Sequence, residues 1–243
     1  MRPRFLLSAS FAGLMVPLLA GCNSTLFSPP ARPLPLESAA TLPRGDTGIQ
    51  AEGGTHGRLF GPDVLSGTLR VRHGIADDVD VAAEVSAMHL DVHPDVPTPT
   101  STTIHAVRAG AKVRLAKPLA IAGGFGGGFS AAGAFVSPEA GPIVAWENRY
   151  FVPFIATRFG MSQPISPRAI DTSQEQDGSR IDRPRTTWIA TIVTGFRIPL
   201  GWSQPEAGTV RGSLLFGTGA THLADNRDKD TFVQVAGGGE LVF

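Results

Sequence analysis

From Gly48 to Phe243 the chain alternates apolar and polar residues with a period of two rather than 3.6, the signature of half-buried strands. The pattern is clearest after residue 65. Leu69, Val71, His73 and Ile75 alternate with Thr68, Arg70, Arg72 and Gly74, a turn follows at Ala76-Asp77-Asp78, and Val79, Val81, Ala83, Val85 and Ala87 then alternate with Asp80, Ala82, Glu84, Ser86 and Met88. Val107 to Leu115 and Leu119 to Phe129 repeat it around Lys117-Pro118. Further strands are expected at 142–147, 149–161, 186–199, 209–222 and 231–243, with a Gly-rich first strand at 49–60. Residues 149–161 are apolar in both phases, which leaves their faces unassigned. About ten strands result, of lengths near the roughly 9–11 residues that a tilted strand needs to cross a bilayer.

The connections alternate in length. Residues 76–78, 116–117 and 147–148 are short and 201–208 somewhat longer, whereas 91–101, 131–141 and 162–185 are long and mostly polar. Membrane barrels have this asymmetry, with short periplasmic turns and longer outer loops. An even strand number brings both ends of the chain to the short-turn side. One strand phase carries Glu52, Arg58, Arg70, Arg72, Asp80, Glu84, Arg108, Lys112, Arg114, Arg197, Arg211 and Glu240, and the other holds mainly Val, Leu, Ile, Phe, Ala and Gly. A soluble sandwich also alternates. Strand length and loop asymmetry favour instead an all-β, antiparallel up-and-down transmembrane barrel, closed because an open edge leaves backbone groups unsatisfied in lipid.

The front of the chain supports an envelope location. Arg2 and Arg4 precede an apolar run from Phe5 to Ala20, too short and interrupted for a membrane helix and arranged like a secretory signal. It ends in Leu19-Ala20-Gly21-Cys22, which resembles the lipobox of bacterial lipoproteins. The resemblance implies a leader at 1–21, diacylglycerol (and further acyl chains, palmitate-like) on Cys22, and, with Asn23 next, sorting to the outer membrane. Several acyl chains make a stable anchor where one is marginal. Residues 22–47, with Pro29, Pro30, Pro33 and Pro35, favour extended polyproline geometry and read as a disordered lipidated tether between the lipid and the barrel at 48–243. Val233, Val235, Leu241 and Phe243 share one face of the last strand, which resembles the C-terminal signal of outer-membrane barrels. That resemblance implies recognition of Phe243 by the barrel-assembly machinery, and together these features imply an outer-membrane protein with both termini periplasmic. Residues 72–81 resemble the strand-turn-strand repeat of such barrels, from which His73 and Ala76 depart.

Composition adds three limits. Cys22 is the one cysteine, so the mature chain has no disulfide. The formal net charge is zero, which gives no electrostatic case for nucleic acid. Charged residues make up 17% and there are 29 glycines, as suits close-packed strands. The charged phase has two readings, a core filled by Arg–carboxylate pairs or a narrow pore favouring small anions, because Arg108, Lys112 and Arg114 share a strand face that carries no acid. His89, Asp91 and His93, at alternate positions, are weak metal candidates, since alternate strand residues lie nearly 7 Å apart. His222 and Asp225 belong to the same rim. Ser213 and His222 fall in opposite phases and cannot act as nucleophile and base. No Gly-x-Ser-x-Gly elbow occurs, and the Gly run 123–128 suits strand packing better than phosphate binding. The expected role is structural, binding or narrow-channel, without a cofactor. The alternatives are a rim hydrolase or a soluble lipid-anchored β-protein binding a small apolar ligand.

Overall fold

The computed structural model describes residues 27–57, 64–92, 100–171, 181–200 and 210–243. The leader and Cys22, Arg58, the 201–208 connection and the side chains of Asp91 and His93 lie outside them. Among the described residues twelve strands occur in the order β1 (Thr47–Gly57), β2 (Val64–Ala76), β3 (Val79–Val92), β4 (Thr100–Ala116), β5 (Leu119–Ser130), β6 (Gly133–Ala145), β7 (Val152–Pro164), β8 (Ile170–Asp171), β9 (Ile181–Asp182), β10 (Thr187–Leu200), β11 (Arg211–Ala224) and β12 (Lys229–Val242). Strands β8 and β9 form a two-residue pair within the longest connection. The other ten close an antiparallel barrel in which each strand pairs with its sequence neighbours and β12 returns to β1. The closing seam runs from Gly48 opposite Val242 to Gly57 opposite Val233, and Thr47 and Phe243 exchange two backbone hydrogen bonds at its end. Closure satisfies the edge groups of every barrel strand.

The alternation is realised as an inside and an outside. Leu69, Val71, Val85, Val107, Phe125 and Phe159 stand exposed on the outer wall. Arg70, Arg72, Asp80, Glu84, Arg108 and Lys112, from the opposite phase, are buried within. Side chains one residue apart on a strand point to opposite faces, so the period-two code suffices to sort them.

Two expectations about individual segments fail. Residues 131–141, expected as a long loop, are mostly strand β6. The chain reverses at Ala131-Ala132 into Gly133, whose φ of +114° lies in the left-handed region that glycine adopts without strain. Ile165 and Arg168 of the following loop donate backbone hydrogen bonds to Ala134 and Ala132, covering this turn. Pro138 and Pro142 disguised the strand. Neither has an N–H to give a ladder, and neither appears among the β6–β7 paired positions, which skip from Val136 to Glu139 and from Ala140 to Ile143.

The second failure concerns the tether. Residues 28–42 do not hang outside the fold; they run through the barrel, with Ser28, Arg32, Leu34, Leu36, Glu37 and Ala39 all buried. Four prolines make this possible as well as extended. A residue inside the lumen must satisfy its backbone N–H, and Pro29, Pro30, Pro33 and Pro35 have none. The segment leaves the lumen at Gly45, whose φ of +92° turns the chain into β1 and whose N–H donates to Gly74 O at 2.8 Å. A side chain at Gly74 would meet Pro43 O at 2.0 Å, so the exit passes directly over it.

Candidate functional site

Among the described residues, charged side chains from many strands converge in the lumen, and the N-terminal segment occupies it. Its two charged residues are the centre. Arg32 spans three carboxylates, reaching Glu37 at 3.1 Å, Glu52 at 3.4 Å and Glu84 at 3.3 Å. Glu37 answers it from the other side. Its two oxygens take Arg70 at 2.8 Å, Lys112 at 3.4 Å and Arg158 at 2.9 Å in addition to Arg32. Both side chains are 1% exposed. Attraction between charges is strong in such a dry site, but so is the cost of removing each from water. The geometry that balances the two is multidentate, and this one is.

Around that centre the wall residues complete one another. Arg70 reaches Glu84 at 3.1 Å, and Arg108 bridges Glu84 at 2.8 Å and Glu139 at 3.1 Å. Arg72 joins Asp80 and Glu240, each at 2.6 Å. The wall also binds the backbone of the segment. Gln50 donates to Leu36 O at 2.8 Å, Ser86 to Ala31 O at 2.9 Å, and Lys112 to Ala40 O at 2.6 Å. At one end Ser28 N donates to Thr187 Oγ1 at 2.9 Å and Ser28 Oγ lies 2.7 Å from Ser162 Oγ. At the other, Leu42 N donates to Asp80 Oδ2 at 3.2 Å and Thr41 Oγ1 to Asp77 O at 2.8 Å. The opposite side of the segment is apolar: Leu34, Leu36 and Ala39 pack with Ala122, Ile143, Phe154, Val193 and Leu215.

The sequence-derived cluster divides on this map. Arg70, Arg72, Asp80, Glu84, Arg108, Lys112 and Glu240 are buried in the lumen. Arg114, Arg197 and Arg211 sit toward the rim: Arg114 donates to Asp77 O at 2.9 Å, Arg197 lies 3.8 Å from Glu240, and Arg211 pairs with Asp46. Four members were not in the cluster. Arg32 and Glu37 stood in the presumed spacer, Glu139 in the presumed loop, and Arg158 on the strand of unassigned phase. The available signal was charge imbalance. Arg108 and Lys112 have no acid on their own strand, so their counter-charges had to come from elsewhere.

The other candidates whose side chains are described are not brought together. His89 lies on the outer face, with Nδ1 3.2 Å from Thr103 Oγ1. No group of three or more metal-ligating side chains occurs among the described residues. His222 is exposed, 2.9 Å from Thr231 Oγ1. Asp225 accepts the backbone N–H groups of Arg227 and Asp228 at 2.7 Å each, which is a turn-forming duty. Ser213 faces inward and His222 outward. Phe243 is half exposed at the closing seam.

No protein-family description and no curated protein matches the sequence. Among solved structures, the chain is similar to Neisserial surface protein A (NspA), with 11% identity over 80% of this chain and 94% of that one and a TM-score of 0.40. It is also similar to the N-terminal β-barrel domain of Pseudomonas aeruginosa OprF, with 12% identity over 82% and 98% and a TM-score of 0.35. A bacterial polysaccharide outer membrane secretin follows, with 8% identity over 81% and 97% and a TM-score of 0.34. Overlaps this loose say nothing about what this chain does.

Proposed function

We propose that the protein is an outer-membrane barrel held shut by its own N-terminal segment, serving as a structural or binding element of the envelope rather than as an open pore. The observation that carries this is the occupancy of the lumen by residues 28–42, fixed through Arg32 and Glu37 to five wall residues of both charges. The paired charges leave no excess of one sign to draw ions through.

The membrane location rests on the wall itself. Large apolar side chains cover the outside while ionised ones fill the inside, the inverse of what water favours. A bilayer tolerates this only for a closed barrel. Aromatic residues are exposed at both rims, with Trp146 and Tyr150 beyond β6 and Phe129 and Trp188 at the other end, as in the aromatic girdles of membrane barrels. The lipobox-like Leu19–Cys22 adds an acylated Cys22 and Phe243 adds recognition by the assembly machinery. Short turns at Asp77-Asp78 and Lys117-Pro118 suit the periplasmic end.

Planar-bilayer recording tests the closed lumen. Purified protein that migrates as a folded barrel on an unboiled gel is expected to give no steady conductance. A persistent anion-selective current would overturn the proposal, and mass measurement of the N-terminal peptide reports Cys22 acylation separately.

A further inference from the structure

The luminal segment has a direction. Its C-terminal end leaves beside Gly74 and the Asp77-Asp78 turn, where Thr47 also meets Phe243. Upstream, Ala31 accepts from Ser86 in the middle of β3. Ser28 bonds Ser162 and Thr187, where β7 ends and β10 begins, and Phe27 bridges Arg185 in the connection between them. The described chain therefore begins and ends at opposite ends of the barrel, contrary to the expectation that both termini share the short-turn side.

We infer that the chain ahead of Phe27 emerges at the long-loop end, opposite the C-terminus, so that the N-terminal end and any acyl groups on Cys22 belong to the cell-surface face of the membrane. The geometry alone carries the word opposite; only the naming of the face rests on the outer-membrane reading above. Chain length closes off the alternative. Five residue steps separate Cys22 from Phe27, and an extended chain covers at most about 3.3–3.6 Å per residue, about 17 Å in all. The apolar band of a membrane barrel is about 25 Å tall. Cys22 thus reaches the rim and the leaflet beside it, but not the leaflet at the other end. Placing it there would require residues 28–42 to leave the lumen, and Arg70, Lys112 and Arg158 would lose the carboxylate they share. The partner of this end is then the lipid of the outer leaflet, and the lipid tether sits on the opposite face from the barrel's C-terminal seam.

Single-cysteine labelling with a membrane-impermeant maleimide separates the possibilities in the full-length protein. Thr25→Cys reports the N-terminal end, Asp177→Cys the long connection, and Lys117→Cys a short turn. Wild type is the control, because an acylated Cys22 does not react, so labelling of wild type signals failure of the lipidation reading alone. The expected result is that Thr25→Cys and Asp177→Cys label together on intact cells and Lys117→Cys only after permeabilisation. Joint labelling of the first two from the other side still upholds the threading and overturns the orientation. Thr25→Cys that labels in step with Lys117→Cys, or not until the barrel is unfolded, overturns the inference.

Discussion

The two sides of the lumen solve one packing problem with different chemistry. On the side built by β1 to β4 and β12, ionised groups meet ionised groups: Arg70, Arg72, Asp80, Glu84, Lys112 and Glu240 are all buried. On the side built by β5 to β7, β10 and β11, Ala122, Ile143, Phe154, Val193 and Leu215 form an ordinary hydrophobic cluster, and Glu139 and Arg158 are the residues of these strands that join the ion-paired network. The N-terminal segment is written to match both. Arg32 and Glu37 face the first, while Leu34, Leu36 and Ala39 face the second. The charged side sets register, because each of its bonds needs a particular partner at a particular distance. The apolar side supplies burial that is indifferent to small slips. A segment held by one side alone would be either loose or strained.

The sharpest way to break the charged side is Glu37→Ala. It removes one carboxylate and leaves Arg32, Arg70, Lys112 and Arg158 around an empty place. Removing one partner of a buried pair costs about 3–5 kcal/mol, and here four cations share the loss. The expected result is the largest fall in folded stability of any single substitution in the lumen, seen as an earlier urea midpoint in reconstituted bilayers. A double Arg32→Ala/Glu37→Ala variant should cost less than the two single changes added, because part of each single cost is the partner left uncompensated.

Leu36→Ala breaks the other side. Leu36 is fully buried against the apolar cluster, and loss of its side chain should cost about 2–5 kcal/mol with the spread set by how far the cavity collapses. The two sides differ in what rescues them: Leu36→Met should restore most of the stability, whereas Glu37→Gln should not replace a shared negative charge.

The comparison also explains what the chain revealed before its structure was known. Wherever the barrel wall is apolar outside and charged inside, as in β2 to β4, the alternation was legible and Arg70, Arg72, Asp80, Glu84, Arg108 and Lys112 were assigned to one face. It failed on β7, because the inward residues Val152, Phe154 and Ala156 face the leucines of the luminal segment and are as apolar as the outward ones. Arg158 was lost with them. The luminal segment was illegible for a related reason. Extended proline-rich chain reads as solvated spacer, and only the company of Leu34, Leu36, Arg32 and Glu37 hinted at a buried path. Gly126 sharpens this point. A Cβ there would stand 2.5 Å from that of Ala31 and 2.8 Å from Val107 O. Gly126→Ala should therefore overpack the lumen at about 1–3 kcal/mol; the share due to Ala31 is lost if the segment is absent and the share due to the Val107 carbonyl remains, so unfolding of Gly126→Ala with and without residues 23–45 separates plug contact from strand contact.

The smallest effect is expected at Arg114, and its smallness is informative. Arg108, Lys112 and Arg114 share a face of β4 and looked alike in sequence. In the barrel Lys112 is 1% exposed and holds Glu37 and the carbonyl of Ala40. Arg114, two residues on, is half buried at the rim and donates to one turn carbonyl. Water can replace that bond, so Arg114→Ala should change stability by no more than about 0.5 kcal/mol. Lys112→Ala should cost several times as much, because it withdraws a cation from Glu37 and a donor from Ala40 together. Side-by-side urea unfolding of the two variants measures how steeply the lumen changes from solvated rim to dry core over one strand repeat. Equal losses would mean that the segment grips the barrel at its mouth, and that the ion-paired centre around Arg32 and Glu37 is not what holds it.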